Sequence, residues 1–312
     1  MPRYATGIFY HPSFSRRSYL TVGTRLADFP MALDGVLRDG RVKLYEPGPV
    51  SRELVLKVHT PGLIEGVKGD PLCSTAWHSA GGVVMAGEKI AEGENGNAFA
   101  FIGAGGHHSG RDFFGGYCCF NDVALCVVNL REKHGFRRFA ILDTDAHHGD
   151  GTRELFLDDP DILHVCVCGT EYESPDRTKL DVAFPDSREF AGGRTINDAY
   201  FDRVAQRFPD RVRRFRPDLL FWYFGFDTHQ GDYGDIGLTG PCYWNIARLM
   251  RDLAGEICGG KLAVVLGGGS HTKLATYLIP PVISVLAGED VVQEGAIDRG
   301  SLNLRSSRCF PR

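Results

Sequence analysis

Five short, largely apolar runs punctuate the chain: Ala98–Ile102, Phe139–Leu142, Ile162–Val167, Leu219–Phe224 and Leu262–Leu266, with Val282–Leu286 as a sixth candidate. Apolar residues at every position, not every second one, are the mark of strands buried on both faces. Stretches with helical spacing lie between them. Asn121–His134 carries Val123, Ala124, Val127, Val128 and Leu130, and Ile196–Phe208 carries Ile196, Ala199, Tyr200, Val204 and Phe208. Tyr243–Ile257 is a third such stretch. Steps of three and four gather these residues on one helix face. Strands alternating with helices predict an α/β protein with a mostly parallel sheet covered on both faces. No internal repeat, low-complexity segment or long Pro- or Ser-rich linker divides the chain, so residues 1–312 read as a single domain. The cluster Arg211, Arg213, Arg214 and Arg216 reads as a solvated helix end before a strand, not as a basic binding patch. Residues 299–312 read as a polar, basic tail.

Length and composition narrow the classes. A chain of 312 residues suits one large α/β domain. With 43% apolar and 24% charged residues it is not a disordered chain. Thirty-nine acidic against 35 basic side chains give a net charge of -4, which offers no electrostatic support for binding nucleic acid or an anionic membrane. No apolar run approaches the roughly 18–20 residues of a membrane-spanning helix, and the N-terminus leads into no signal-peptide pattern. The nine cysteines are an odd number, lack a C-x-x-C pattern, and in cases such as Cys166 and Cys168 sit in apolar runs. They read as reduced, buried thiols of a cytoplasmic protein.

Chemistry is concentrated where the strands end. Ala98–Ile102 runs into Gly103-Ala104-Gly105-Gly106-His107-His108, and Phe139–Leu142 into Asp143-Thr144-Asp145-Ala146-His147-His148-Gly149-Asp150. Leu219–Phe224 runs into Gly225-Phe226-Asp227, and Leu262–Leu266 into Gly267-Gly268-Gly269-Ser270-His271. In a parallel sheet these ends share one edge, where ligands bind. Taken singly, the glycines could make turns and the Asp and His residues could cap helices. Four such segments together point to a site. Asp145 and His147, two apart in an extended segment, point the same way. With Asp227 they form a two-oxygen, one-nitrogen set that suits zinc with a position left for water; iron(II) or cobalt also fits such a set. Asp143 and Asp150 flank the pair. His107 and His108 would face the metal from a neighbouring strand, each imidazole oriented and made more basic by a carboxylate.

These residues resemble the histone deacetylases and their bacterial and archaeal relatives, the acetylpolyamine amidohydrolases and the acetoin-utilisation proteins. Gly106-His107-His108 followed by Gly116-Tyr117-Cys118-Cys119-Phe120-Asn121-Asp122 is similar to the family's tandem-histidine block. Asp143 to Thr152 is similar to its metal block, and Gly225-Phe226-Asp227 to its third-ligand block. The likeness runs in order from about residue 60 to about 290. It implies a three-layer α/β/α sandwich on a mainly parallel sheet of about eight strands. It implies zinc held by Asp145, His147 and Asp227, and catalysis by His107 and His108, oriented by Asp143 and Asp150 respectively. His108 would take a proton from water and return it to the leaving amine. Gly116 and Tyr117 would line a narrow acyl-chain tunnel, and Asp70 matches a rim aspartate that holds substrate backbone. Potassium is a further implied cation, on main-chain oxygens around Asp143, Asp145 and His147, where Cys166 stands in place of a serine.

Two departures follow from the same comparison. The family's glycine run ends in a tyrosine whose hydroxyl stabilises the oxyanion, and this chain has His271 there. A donor lost at that point costs roughly 3–4 kcal/mol. Tyr19, in an N-terminal segment unlike the family's, is a candidate replacement. The leading expectation is a zinc-dependent amidohydrolase acting on an acyl-lysine or a small acylated amine such as an acylpolyamine, with no direct nucleic acid or membrane partner and with oligomerisation open. The alternatives are a weakly active or inactive zinc-containing acyl-lysine binding module, favoured by His271, and a binuclear hydrolase of the arginase type.

Overall fold

The computed structural model describes residues 2–16, 25–189 and 193–289. Among the described residues nine strands build one sheet: β1 (Tyr4–Phe9), β2 (Val42–Tyr45), β3 (Asn95–Ala100), β4 (Phe139–Asp143), β5 (Ile162–Val167), β6 (Tyr172–Glu173), β7 (Lys179–Val182), β8 (Leu219–Phe224) and β9 (Leu262–Leu266). Their spatial order is β2-β1-β3-β9-β8-β4-β5-β7-β6. Every pairing is parallel except β6 with β7. The helices are α1 (Asp34–Leu37), α2 (Arg52–Val58), α3 (Pro61–Gly69), α4 (Ala76–Ala91), α5 (Asp122–His134), α6 (Asp150–Phe156), α7 (Ile196–Arg207), α8 (Pro209–Phe215), α9 (Gly240–Cys258) and α10 (Thr272–Leu286). One group gathers on α4, which packs on α5, β1, β3 and β9. Another gathers on α9, which packs on α7, α10 and β8. The result is an α/β sandwich.

Local chemistry sets the helix ends. Ser51, Thr60 and Asn121 accept hydrogen bonds from the backbone N–H groups of Leu54, Leu63 and Ala124, closing the first turns of α2, α3 and α5. Thr195 and Asp198 cap α7 reciprocally. Helices α5 and α9 stop at Gly135 and Gly259, whose φ of 68° and 65° favour a residue without a Cβ.

Strands β5, β8 and β9 coincide with their predicted runs because every residue in them is buried. The sixth candidate is corrected: Val282–Leu286 is the end of helix α10, not a strand. A short buried apolar run has no period that tells helix from strand. Pro280 and Pro281 inside this helix hid the helical signal further. The arginine cluster lies on α8, at the solvated end expected. Arg213 pairs with Asp210 at 3.0 Å and Glu256 at 2.9 Å, and Arg211 with Glu173 at 3.0 Å.

The reading of all nine cysteines as reduced thiols is also corrected. Cys73 and Cys119 form a disulfide across 46 residues, their Cα atoms 6.0 Å apart and both side chains buried. That spacing, set by the packing of the segment after α3 against the loop before α5, falls in the range a disulfide spans. Among the described residues no helix is long and apolar enough to cross a membrane.

The fold brings the chemistry together through its strand order. β3, β9, β8 and β4 are neighbours, so the four segments singled out above leave adjacent strands on one edge. Their registers are level: Asp143 lies opposite Tyr223, and Tyr223 opposite Val265.

Candidate active site

Asp145, His147 and Asp227 converge. Asp145 is 2% exposed and accepts hydrogen bonds from the N–H groups of Gly268 at 2.6 Å and His147 at 3.0 Å. Asp227, fully buried, accepts one from the N–H of Ala146 at 3.1 Å. His147 Nδ1 lies 3.1 Å from Asp145 Oδ1 and 3.1 Å from Asp227 Oδ2. The three ligand atoms are all within 4.8 Å of one another.

The charge balance here asks for a cation. Burial pushes the Asp227 carboxyl up to about 7, and the neighbouring Asp145 charge adds to this. Burial also works against the Asp145 carboxylate, but the His107 and His147 charges overcome it and hold Asp145 well below the usual carboxylate range. Hydrogen bonds to Asp145 and Asp227 lift His147 to about 10. Two buried carboxylates therefore retain protons around them. A divalent ion would displace those protons, and the oxygen, oxygen, nitrogen set fits zinc.

The tandem histidines stand beside this group in different surroundings. His107 is 3% exposed; its Nδ1 lies 2.8 Å from Asp143 Oδ2 and its Nε2 3.7 Å from Asp145 Oδ1. His108 Nδ1 lies 2.6 Å from Asp150 Oδ1. The two ring centroids are 4.2 Å apart. Burial disfavours charge on both rings. For His107 the Asp143 and Asp145 charges outweigh it and lift the imidazole to about 9. For His108 burial prevails, reinforced by the His107 charge, and lowers it. Near neutral pH one ring keeps its proton and its neighbour is neutral. A neutral ring donating Nδ1–H to Asp150 presents Nε2 as a base.

A cavity of about 230 Å³ opens onto these groups. Gly116 and Tyr117 are among its lining residues. Both have positive φ, 53° and 67°. A Cβ on Gly116 would stand 2.9 Å from His108 Cγ, so the loop reaches the imidazole only as glycine. Asp70 and His271 do not line this cavity. Asp70 ends α3 and accepts a hydrogen bond from the Leu72 N–H at 2.9 Å. His271 is the N-cap residue of α10, and its N–H donates to Asp232 Oδ2 at 3.2 Å. Tyr19 lies outside the described residues.

Three cavity residues gave no signal in the sequence: Arg25, Tyr223 and Tyr233. Arg25, 2% exposed, donates to the carbonyls of Gly267 at 2.5 Å, Gly269 at 3.1 Å and Ile102 at 3.2 Å, tying the loops after β9 and β3 together. Tyr223 stacks on His107 at 4.6 Å, and its hydroxyl accepts the His107 N–H at 3.3 Å. Arg25 reaches Gly269 across 244 residues of sequence, Tyr223 reaches His107 across 116 and Tyr233 reaches Gly269 across 36, and no local period reveals any of them. At the place of the expected potassium site, Cys166 Sγ lies 3.9 Å from the His147 carbonyl. Beside it, donor atoms of His148, Cys166, Cys168 and Asp181 lie within 4.8 Å of one another. Sulfur there is a soft donor, ill matched to a hard cation.

Comparison with known proteins places this arrangement. A family model described as histone deacetylase domain matches residues 24–286. A probable deacetylase of Archaeoglobus fulgidus is 31% identical over 281 residues, covering 83% of this chain and 78% of that protein. A polyamine deacetylase of Mus musculus is 29% identical over 225 residues, 68% of this chain, and the match spans only 33% of its own length. Among solved structures, the HD domain of HDA15 superposes with a TM-score of 0.76 at 24% identity, over 92% of this chain and 89% of that one, and shares the fold.

Proposed function

The chain belongs to the histone deacetylase family, and from that premise we propose that it is a zinc-dependent amidohydrolase releasing an acyl group from a linear acylated amine. The observation that carries this is the convergence of Asp145, His147 and Asp227 beside two histidines whose protonation is driven apart. Asp145, His147 and Asp227 would hold the zinc, which when bound polarises the amide carbonyl and makes water a better nucleophile. His108, neutral and aimed by Asp150, accepts the proton that water loses and returns it to the departing nitrogen. His107, charged and held by Asp143, keeps positive charge next to the reacting carbon and lowers the basicity of His108. The products are a carboxylate and a free amine.

The cavity lined by Gly116, Tyr117, Asp145 and His147 supports an extended substrate side chain such as an acyl-lysine or an acylpolyamine. A binding module would need neither a neutral base nor its carboxylate, and both are present. The binuclear reading would need more carboxylates at the metal, whereas His107 and His108 occupy the adjoining positions. The test is amine release from acyl-lysines and acylpolyamines of graded acyl length, with zinc-loaded and chelated protein. Zinc-dependent release on one series supports the proposal. Tight binding without release would favour the module.

A further inference from the structure

The inference concerns the oxyanion, and it rests on the amidohydrolase reading. Hydrolysis of an amide needs a donor for the negative oxygen of the tetrahedral intermediate. The end of the glycine run does not provide one. The Ser270 N–H donates to the Asp232 carboxylate at 3.1 and 3.0 Å, the Ser270 hydroxyl at 3.0 Å and the His271 N–H at 3.2 Å. This end of the run is tied to the loop after β8, and His271 stays out of the cavity lining.

The residue after Asp232 crosses in the opposite direction. Tyr233 lines the cavity, and its Oη accepts the N–H of Gly269 at 3.2 Å. A methyl group built on Gly268 would stand 2.7 Å from Tyr233 Oη, 2.6 Å from Asp145 Oδ2 and 2.8 Å from Asp227 Oδ2. The hydroxyl and both carboxylates therefore surround one small space that only glycine leaves open. The Tyr233 ring lies 5.6 Å from the His147 ring and is 47% exposed, so it forms the cavity rim while its hydroxyl reaches inward. Because Oη is already an acceptor for Gly269, its own proton is free to donate, and an accepted bond strengthens it as a donor. The Tyr223 hydroxyl likewise accepts a backbone N–H, that of His107, but its ring stacks on His107 at 4.6 Å, whereas the Tyr233 ring faces His147 and its hydroxyl shares the space beside Gly268 with Asp145 and Asp227.

We propose that Tyr233 is the oxyanion donor of this protein: a phenol delivered from the loop after β8 stands in for one missing from the loop after β9. The chain would have exchanged the loop that carries the hydroxyl while keeping the hydroxyl at the site. Tyr233→Phe retains the ring at the rim and removes only the donor. With zinc-loaded protein, kcat for acetyl-lysine should fall about a hundred- to a thousandfold with little change in KM. Trifluoroacetyl-lysine, whose oxyanion needs less help, should lose far less. A second readout is binding: a trifluoromethyl ketone, which hydrates to mimic the tetrahedral carbon, should bind the variant more weakly by a similar factor, with zinc content unchanged. Tyr233→Met, which also lacks the hydroxyl, should match both losses.

Wild-type turnover and ketone affinity in either variant would overturn the inference alone. So would a hundredfold gain on acetyl-lysine from His271→Tyr, because it would show the donor position to be empty. Absence of any amide cleavage by the zinc-loaded wild type would defeat the amidohydrolase reading, and this inference with it.

Discussion

Adding one methyl group at Gly268 should disable the site without disturbing the fold. Gly268 has no left-handed φ, so its backbone accepts alanine. The obstacle is space. The new Cβ would stand 2.6 Å from Asp145 Oδ2, 2.7 Å from Tyr233 Oη and 2.8 Å from Asp227 Oδ2, where ordinary contact begins at 3.4 Å. Each oxygen must retreat by more than half an ångström, and two of them are the carboxylates proposed to hold zinc. Sites of this kind work within about 0.5 Å of their productive geometry. Disturbing the groups around a metal typically costs about 10–100-fold in affinity, and a misplacement near 1 Å costs about 100-fold in rate. Gly268→Ala should therefore lose zinc to a competing chelator about 10–100-fold more readily. Its turnover at saturating zinc should fall by about two orders of magnitude. Gly255→Ala is the matched control. Gly255 lies on the exposed side of α9 with nothing near its would-be Cβ. There the same substitution should stabilise the protein by about 0.5–1 kcal/mol and leave zinc and turnover alone. Chelator competition, steady-state rates and thermal melts read all three quantities. Wild-type zinc affinity and turnover in Gly268→Ala would refute the cradle described here.

Zinc binding should release protons. His147 stands at about 10 and Asp227 at about 7 without a metal, and zinc must displace what they hold. Lower pH fills both groups, so affinity should fall with pH: about tenfold per unit near pH 8–9, where only His147 carries a proton, and more steeply below pH 7. Titration calorimetry in buffers of different ionisation enthalpy measures the release; a pH-independent affinity would contradict it. His108→Ala should keep zinc yet lose about 10²–10⁴-fold in turnover. Since the base works only when neutral and its proton affinity is lowered, kcat/KM for the wild type with zinc kept saturating at every pH should hold its plateau below pH 6.5, the ordinary histidine value. An acid limb at or above pH 6.5 would remove His108 from that role.

How much of this was legible in the sequence depended on where each residue acts. Strands β5, β8 and β9 announce themselves because both faces are buried and every residue but His164 is apolar. Strands β1, β2 and β7 lie toward the edges and carry Thr6, Lys43 and Asp181, so their runs are broken. Thr6 is buried all the same, its hydroxyl donating to Asn97 at 2.8 Å. In the site, Asp145 and His147 share a segment, and their spacing speaks locally. Arg25 reaches Gly267 across 242 residues, and no local pattern records such a bond. His271 drew attention because it follows a glycine run, while Tyr233, from another loop, lines the cavity that His271 does not. The pairing of Cys73 with Cys119 was hidden for the same reason, since two of nine thiols meet only once the chain has folded.

The central claim is that Asp145, His147 and Asp227 hold one zinc ion on which amide cleavage depends. Zinc content per chain, measured together with amine release for the wild type, Asp145→Ala and Asp227→Ala, addresses it most directly. The account predicts one zinc at this site in the wild type, its loss in both variants with the fold intact, and turnover that disappears on chelation and returns when zinc is restored. Full zinc occupancy of this site in either variant, or undiminished cleavage by metal-free protein, would contradict it.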